Sequence, residues 1–174
     1  NPFMTSTPKA LRYAIIGAGM AGMLAAIKLK ERGEQFTVYE KAAKIGGTWR
    51  ENRYPGLTCD VPAHAYTYSF EPYAEWRAYY ATGGEVQGYF EYVADKYGIL
   101  PSIRFGCEVV STVFDDARQV WTLGLANGET VEADVVIAAS GVLHHPKTPD
   151  IPGLDTFAGK AFHTDISAAL LEGY

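Results

Sequence analysis

A chain of 174 residues with 48% apolar, 13% aromatic and 20% charged residues is rich enough to bury about 70% of its unfolded surface in one core, which excludes a disordered chain. Lys and Arg number 15 against 20 for Asp and Glu, a net charge of −5, so nucleic acid is not the expected partner. Cys59 and Cys107 stand 48 positions apart, outside any CxxC pattern, and with four histidines that complete no ligand set they predict a reduced, cytoplasmic protein without a structural metal.

Residues 1–10 read as an expression remnant (Asn1-Pro2-Phe3 ahead of Met4) and an unstructured start. Residues 11–16 (LRYAII) are a short apolar run ended by Gly17, the pattern of a buried strand. The uncharged run 14–27 behind Lys9 and Arg12 imitates a secretory signal. It is too short to cross a membrane, and glycines at fixed spacing interrupt it. Residues 20–32 carry Met, Leu, Ala and Ile at helical spacing, with Lys28, Lys30 and Arg32 late and Gly33 placed to end the helix. Residues 36–40 (FTVYE) form a second strand, completing a β-α-β unit whose strands run parallel. Residues 41–72 are punctuated by Gly and Pro and show little periodicity, a length of loop that is usually functional. A helix is predicted over 84–97, closed by Gly98, and a short strand over 103–105. Alternation over 107–114, 119–125 and 129–133 predicts antiparallel strands, turned at Asp115–Arg118 and at Asn127-Gly128. Residues 134–139 (DVVIAA) read as a buried parallel strand ending at Ser140-Gly141.

Gly17-Ala18-Gly19-Met20-Ala21-Gly22 is a GxGxxG motif at the handover from first strand to first helix. Gly17 permits the tight turn, Gly19 admits a pyrophosphate close to backbone N–H groups, and Gly22 lets helix and strand approach. Glu40 ends the second strand, 23 residues after Gly17, where an acid can accept from ribose hydroxyls. Motif, strands and acid together predict dinucleotide binding. The first 53 residues, with nine basic and four acidic groups against six and 16 in the remainder, agree weakly with a phosphate-bearing ligand.

The antiparallel ribbon ahead of the last parallel strand, with Ala139-Ser140-Gly141 after it, resembles the FAD domain of flavoproteins that carry two dinucleotide-binding domains. Gly46-Gly47-Thr48-Trp49, then Asn52-Arg53-Tyr54-Pro55-Gly56, Cys59-Asp60, Pro62, Tyr66, Tyr68, Ser69 and Phe70 look like a Baeyer–Villiger monooxygenase, within the NADPH-dependent flavin monooxygenases. The likeness continues through Pro146-Lys147, Pro149-Asp150 and Pro152-Gly153-Leu154. It then reaches Phe157, Gly159, His163 and Thr164, the start of the fingerprint FxGxxxHxxxW, whose last aromatic is replaced by Ser167.

The resemblance implies a Rossmann-like α/β fold with a parallel sheet and a three-stranded β-meander. It implies an FAD-binding domain over 11–153, and over 154–174 a linker toward an NADPH-binding domain that this stretch lacks. It implies an enzyme that uses NADPH and O2 to convert a ketone to an ester or lactone through a C4a-peroxyflavin, the flavin supplying the chemistry. Met20, Ala21, Lys41, Gly47, Thr48, Val110, Ser140 and Gly141 join Gly17, Gly19, Gly22 and Glu40 as expected cofactor contacts. Asp60, the expected catalytic residue, matches a family acid near the isoalloxazine that pairs with an arginine having no counterpart here; otherwise it reads as a turn carboxylate after Cys59. Thr58, where relatives often carry arginine, and Cys59 join Asp60 on the NADP side, although Cys59 alone reads as a buried filler. Trp49 either walls the flavin or is a core residue, and Tyr66 packs beside the cofactor or in the core. His163 takes a structural role, and His144 and His145 read as solvated. Turnover is not expected from these 174 residues alone. The alternatives are a flavin monooxygenase acting on nitrogen or sulfur, and a non-catalytic flavin-binding module.

Overall fold

The computed structural model describes residues 10–143 and 147–159. The predicted β-α-β unit is present as strand β1 (Arg12–Ile16), helix α1 (Met20–Glu31) and strand β2 (Gln35–Tyr39). β1 and β2 run parallel, in register from Arg12 opposite Gln35 to Ile16 opposite Tyr39. α1 turns Gly22, Met23, Ala26 and Ile27 into the core, the helical face that must cover a sheet. Lys28 and Lys30 occupy its last turn, and Gly33 follows the cap at φ +71°, the ending read from the sequence.

The helix predicted over 84–97 is α2, Gly83–Lys96, if the four-residue turn Thr48–Glu51 is counted apart as a short helical loop. Its buried Val86, Tyr89, Phe90, Val93 and Ala94 recur at helical spacing and pack with Ile15, Val38 and α1 in the main core. A two-residue strand β3 (Ile103–Arg104) then joins the far side of β2. β4 (Val109–Asp115), β5 (Val120–Leu125) and β6 (Thr130–Ala133) form a separate antiparallel sheet in that order. Its turns use the predicted chemistry: Asp115 accepts from the Ala117 and Arg118 N–H groups, and Asn127 from that of Glu129.

β7 (Val135–Ala138) returns to pair parallel with β1, so the first sheet has the order β3-β2-β1-β7. Here the structure corrects the sequence reading. The strand predicted as buried is half-buried, with Ala138 exposed: among the described residues it is the edge of the four-stranded sheet. Arg12 fastens this edge, donating through its backbone N–H and its guanidinium to Asp134 at 2.9 Å.

Residues 41–72 also differ from their appearance as a loop. Ile45, Cys59, Ala63 and Tyr68 lie in the same core as the central strand, and a 3-10 turn forms at Ala63–Ala65. Aromatic packing replaces regular pairing here: Tyr68 stacks on Phe70 at 5.2 Å and meets Phe90 at 6.0 Å. Among the described residues, no helix is long and apolar enough to cross a membrane. His144, His145, Pro146, His163, Thr164 and Ser167 lie outside the described residues, as do residues 1–9.

Candidate functional site

β1 lies between β2 and β7, and all three run parallel, so the segments leaving their C-terminal ends converge. Such a crevice is the usual ligand position in open α/β sheets. Gly17 leaves β1 at φ +98°, and a Cβ there would meet the Ala139 carbonyl oxygen at 2.6 Å. A Cβ on Gly22 would overlap the Gly17 carbonyl oxygen. The turn is therefore closed against both α1 and the end of β7, as the first and third glycines of the motif predict. Ser140 and Gly141 continue from there, both exposed at the mouth of the crevice.

Gly19 caps α1 with no side-chain hydrogen bond, and no acid occupies the first turn. The N–H groups of Met20 and Ala21 are thus left open at the positive end of a 12-residue helix. Across from them comes a second glycine turn, in which Gly47 adopts φ +52° and would place a Cβ 3.2 Å from Gly19 Cα. Two backbones without side chains therefore face one another at the helix N-terminus. That arrangement has the space and the donors for a diphosphate, so the residues present fit a dinucleotide.

Glu40 sits at the end of β2, buried at 6% exposure. Its carboxylate accepts from the Ala18 N–H at 2.7 Å and from the Ala42 N–H at 2.8 Å. The sequence suggested only a ribose acceptor at this position; the structure adds an internal role that no motif announces. One oxygen goes to each donor, and a carboxylate has about four lone-pair positions, so acceptor capacity remains. Lys41 follows. The Gly106 and Cys107 N–H groups donate to Ala42 and Glu40 carbonyls, which brings the start of the antiparallel ribbon to this end. Val110 lies at the irregularity in β4 and is 60% exposed.

Thr48 and Trp49 begin the short helical turn after Gly47. The Trp49 indole N–H donates to the Tyr66 hydroxyl at 3.1 Å, and the rings meet edge-on at 5.5 Å. Burial, chiefly, raises the Tyr66 phenol above its ordinary range, against the opposing hydrogen bond from Trp49 and with the nearby Asp60 carboxylate acting in the same direction as burial. Asp60 is exposed, whereas Cys59 is buried in the core. Thr58 bridges to Thr82 just ahead of α2, and the Cys59 N–H donates to the Ala81 carbonyl at 2.8 Å. A cleft of about 480 Å³ opens between these segments, with Trp49, Asn52, Arg53, Thr58, Gly83 and Gln87 in its walls.

The structure thus assembles Gly17–Gly22, Glu40, Gly47, Ser140 and Gly141 around one crevice, with Trp49, Tyr66 and Thr58–Asp60 continuing from the second glycine turn. Phe157 and Gly159 are exposed and stand apart from that assembly in the chain. Sequence reasoning counted Tyr68 among the residues of the resemblance without giving it a role, and missed Gln87: the Tyr68 hydroxyl donates to the Met20 carbonyl at 2.6 Å, and Gln87 donates to the Ile45 carbonyl at 3.1 Å. Only tertiary contact gives either residue a part in the site. Among the described residues, no group of three His, Cys, Asp or Glu is placed to hold a metal ion.

Residues 15–82 match the NAD(P)-binding Rossmann-like domain family. Over 155 residues the chain is 46% identical to a Baeyer–Villiger monooxygenase of Streptomyces coelicolor, covering 88% of this chain and 30% of that protein. Closed cyclohexanone monooxygenase superposes with a TM-score of 0.79 at 36% identity, over 89% of this chain and 30% of that one. The protein OTEMO in complex with FAD and NADP gives 0.80 at 32% identity, over 90% and 30% respectively. The chain therefore spans about 30% of the length of these relatives. By sequence and by fold the chain is similar to about a third of a Baeyer–Villiger monooxygenase, and it carries a Rossmann-like dinucleotide-binding unit.

Proposed function

We propose that this chain binds FAD in the crevice at the C-terminal ends of β1, β2 and β7, as the flavin-holding part of an NADPH- and O2-dependent monooxygenase that converts ketones to esters or lactones. The observation that carries the reading is the meeting of Gly19 and Gly47 at the uncapped N-terminus of α1. A single glycine-rich turn is common to many nucleotide sites; a second glycine turn facing it, leading directly into Trp49, fits a ligand with a flat ring beyond its diphosphate. OTEMO, a structural neighbour, was crystallised with FAD and NADP, and cyclohexanone monooxygenase is named for a ketone.

In this reading the Met20 and Ala21 N–H groups and the Gly47 backbone bind the diphosphate, with Gly17, Gly19 and Gly22 keeping its approach clear. Glu40 uses its remaining lone pairs for ribose hydroxyls, with Lys41 and Val110 on the same side. Thr48, Trp49 and Tyr66 bound the flavin ring, and Ser140-Gly141 passes along it. FAD held by these residues would supply the redox chemistry with NADPH and O2. The chain's own residues orient it, exclude water through the Trp49–Tyr66 pair, and present the Asp60 carboxylate on the side of Thr58 and Cys59, where NADP approaches. Phe157, Gly159, His163 and Thr164 belong to a connecting segment over 154–174, beyond a cofactor-binding unit of 11–153. The two free thiols, Cys59 and Cys107, suit a reducing, cytoplasmic setting.

Titrating the purified chain with FAD and following flavin fluorescence tests the binding. Saturable quenching that Gly19→Val abolishes is expected, since a side chain at Gly19 enters the diphosphate's path; equal binding by wild type and variant rejects the site. Mass spectrometry of the full-length protein supplied with NADPH, O2 and a ketone panel tests the reaction. Ester supports it, and oxygenated thioethers or amines without ester reject it.

A further inference from the structure

Gln87 lies outside every motif, yet its side chain reaches from α2 to the peptide that begins the second glycine turn. Its amide nitrogen donates to the Ile45 carbonyl at 3.1 Å and to the Glu91 carboxylate at 2.9 Å. The peptide unit that offers the Ile45 carbonyl also carries the Gly46 N–H, which donates to the Ala18 carbonyl at 3.0 Å. One peptide plane is thus clamped from both sides, by α2 through Gln87 and by the GxGxxG turn through Ala18. The clamp extends further, because the Ala18 N–H donates to Glu40.

Glu91 sets the orientation of the amide. Flipping it would turn its oxygen toward two acceptors, a carbonyl and a carboxylate. In the orientation found, the Gln87 amide oxygen is buried without a hydrogen-bond partner and lies where a Cβ on Gly46 would be. Buried acceptors are seldom left unpaired, so the contact with Gly46 comes at a polar cost. Gly46 itself stands at φ +119°, a conformation open to glycine. The next residue is Gly47, which meets Gly19.

We infer that Gln87 is a positioning residue for the diphosphate site: by clamping the Ile45–Gly46 peptide against Ala18 it holds Gly47 opposite Gly19 before the cofactor arrives. The inference rests on the proposed FAD reading for its functional consequence, but the clamp itself is a property of the free chain. Loops held in the bound geometry bind more tightly because less ordering remains to be done.

Two substitutions test it. Gln87→Met keeps length and removes the donor; Gln87→Glu keeps shape and, ionised at pH 8, can only accept. Hydrogen exchange of the chain without FAD reads the clamp directly. Exchange of the Gly46 N–H should accelerate at least about five-fold in either variant, the worth of one hydrogen bond, while amides in β1 keep their rates. FAD affinity should weaken by a similar factor of about five. Unchanged Gly46 exchange overturns the inference, as does an acceleration shared equally by β1, which marks general packing. Faster Gly46 exchange with unchanged FAD affinity removes the positioning role. If wild type binds no FAD while Gly46 exchange still responds to the variants, the FAD reading falls and the clamp stands.

Discussion

At the end of β2 a single carboxylate serves two backbone donors inside the protein, Ala18 and Ala42, at 2.7 and 2.8 Å. Removing it strands both N–H groups, so Glu40→Ala should destabilise the chain without ligand by about 1–3 kcal/mol, read as a lowered denaturation midpoint. If Glu40 also accepts from ribose, FAD affinity should fall by a further factor of roughly 10–150, the worth of about 1.5–3 kcal/mol in charged hydrogen bonds. Stability loss with unchanged affinity would confine Glu40 to its internal role. Gly22 offers a purely steric counterpart. A methyl there overlaps the Gly17 carbonyl, and backbone must move to admit it. Gly22→Ala should cost about 1–3 kcal/mol and lower the melting temperature by roughly 2–12 °C.

α2 is held at both ends by side chains. Thr82 and Glu85 cap its N-terminus reciprocally, a capping box. Thr82→Ala should cost about 1 kcal/mol by thermal denaturation and loosen the wall of the cleft beside Gly83. Near the other end, Lys96, Tyr97 and Tyr92 all donate to the Glu71 carboxylate, at 2.7, 2.9 and 3.1 Å. The Lys96 hydrogen bond, first among these, holds the Glu71 carboxyl below its ordinary value. A depressed folded-state pKa means the unfolded chain takes up the proton first on acidification. The stabilisation is therefore complete above the ordinary glutamate range and is lost as pH falls through the lower folded value. Glu85 and Glu129 shift in the same direction, through Thr82 and Arg104. Glu71→Gln should consequently flatten part of the decline in melting temperature below about pH 4.5 and leave the rest; an unchanged acid limb would show that the Glu71 cluster contributes nothing.

Across the whole molecule, the crevice gathers backbone from segments far apart in the chain, the turn after β1, the end of β2, the Gly46–Gly47 turn and the exit from β7. A ligand that contacts all of them stabilises the folded state as a unit. With free FAD at 100 times its dissociation constant, binding should add about 2.7 kcal/mol to unfolding, visible as a rise in melting temperature. A melting temperature indifferent to FAD would count against the site. The long segment 41–72 should gain most, since it is held mainly by side-chain packing and side-chain hydrogen bonds, with little regular backbone pairing.

The β-α-β unit and the antiparallel ribbon were legible in the sequence because their signals are local. Periodicity marks α1 and α2, Gly33 and Gly98 end them, and Asn127-Gly128 turns the hairpin. The glycine turn after β1 was legible too, because backbone that approaches backbone as closely as at Gly17 and Gly22 leaves no room for a side chain. What the chain could not show by itself is which distant atoms meet. Among the described residues β7 lies at the edge of its sheet beside β1, and no residue within DVVIAA records that neighbour. Segment 41–72 enters the core because α1 and α2 leave room for Ile45, Cys59 and Tyr68, although its own pattern lacks a period. Gln87 and Tyr68 act on the site through carbonyls 42 and 48 positions away. A side chain's hydrogen-bond partner at such separation is decided only when helices and strands pack, and that is why the tertiary structure was needed to find them.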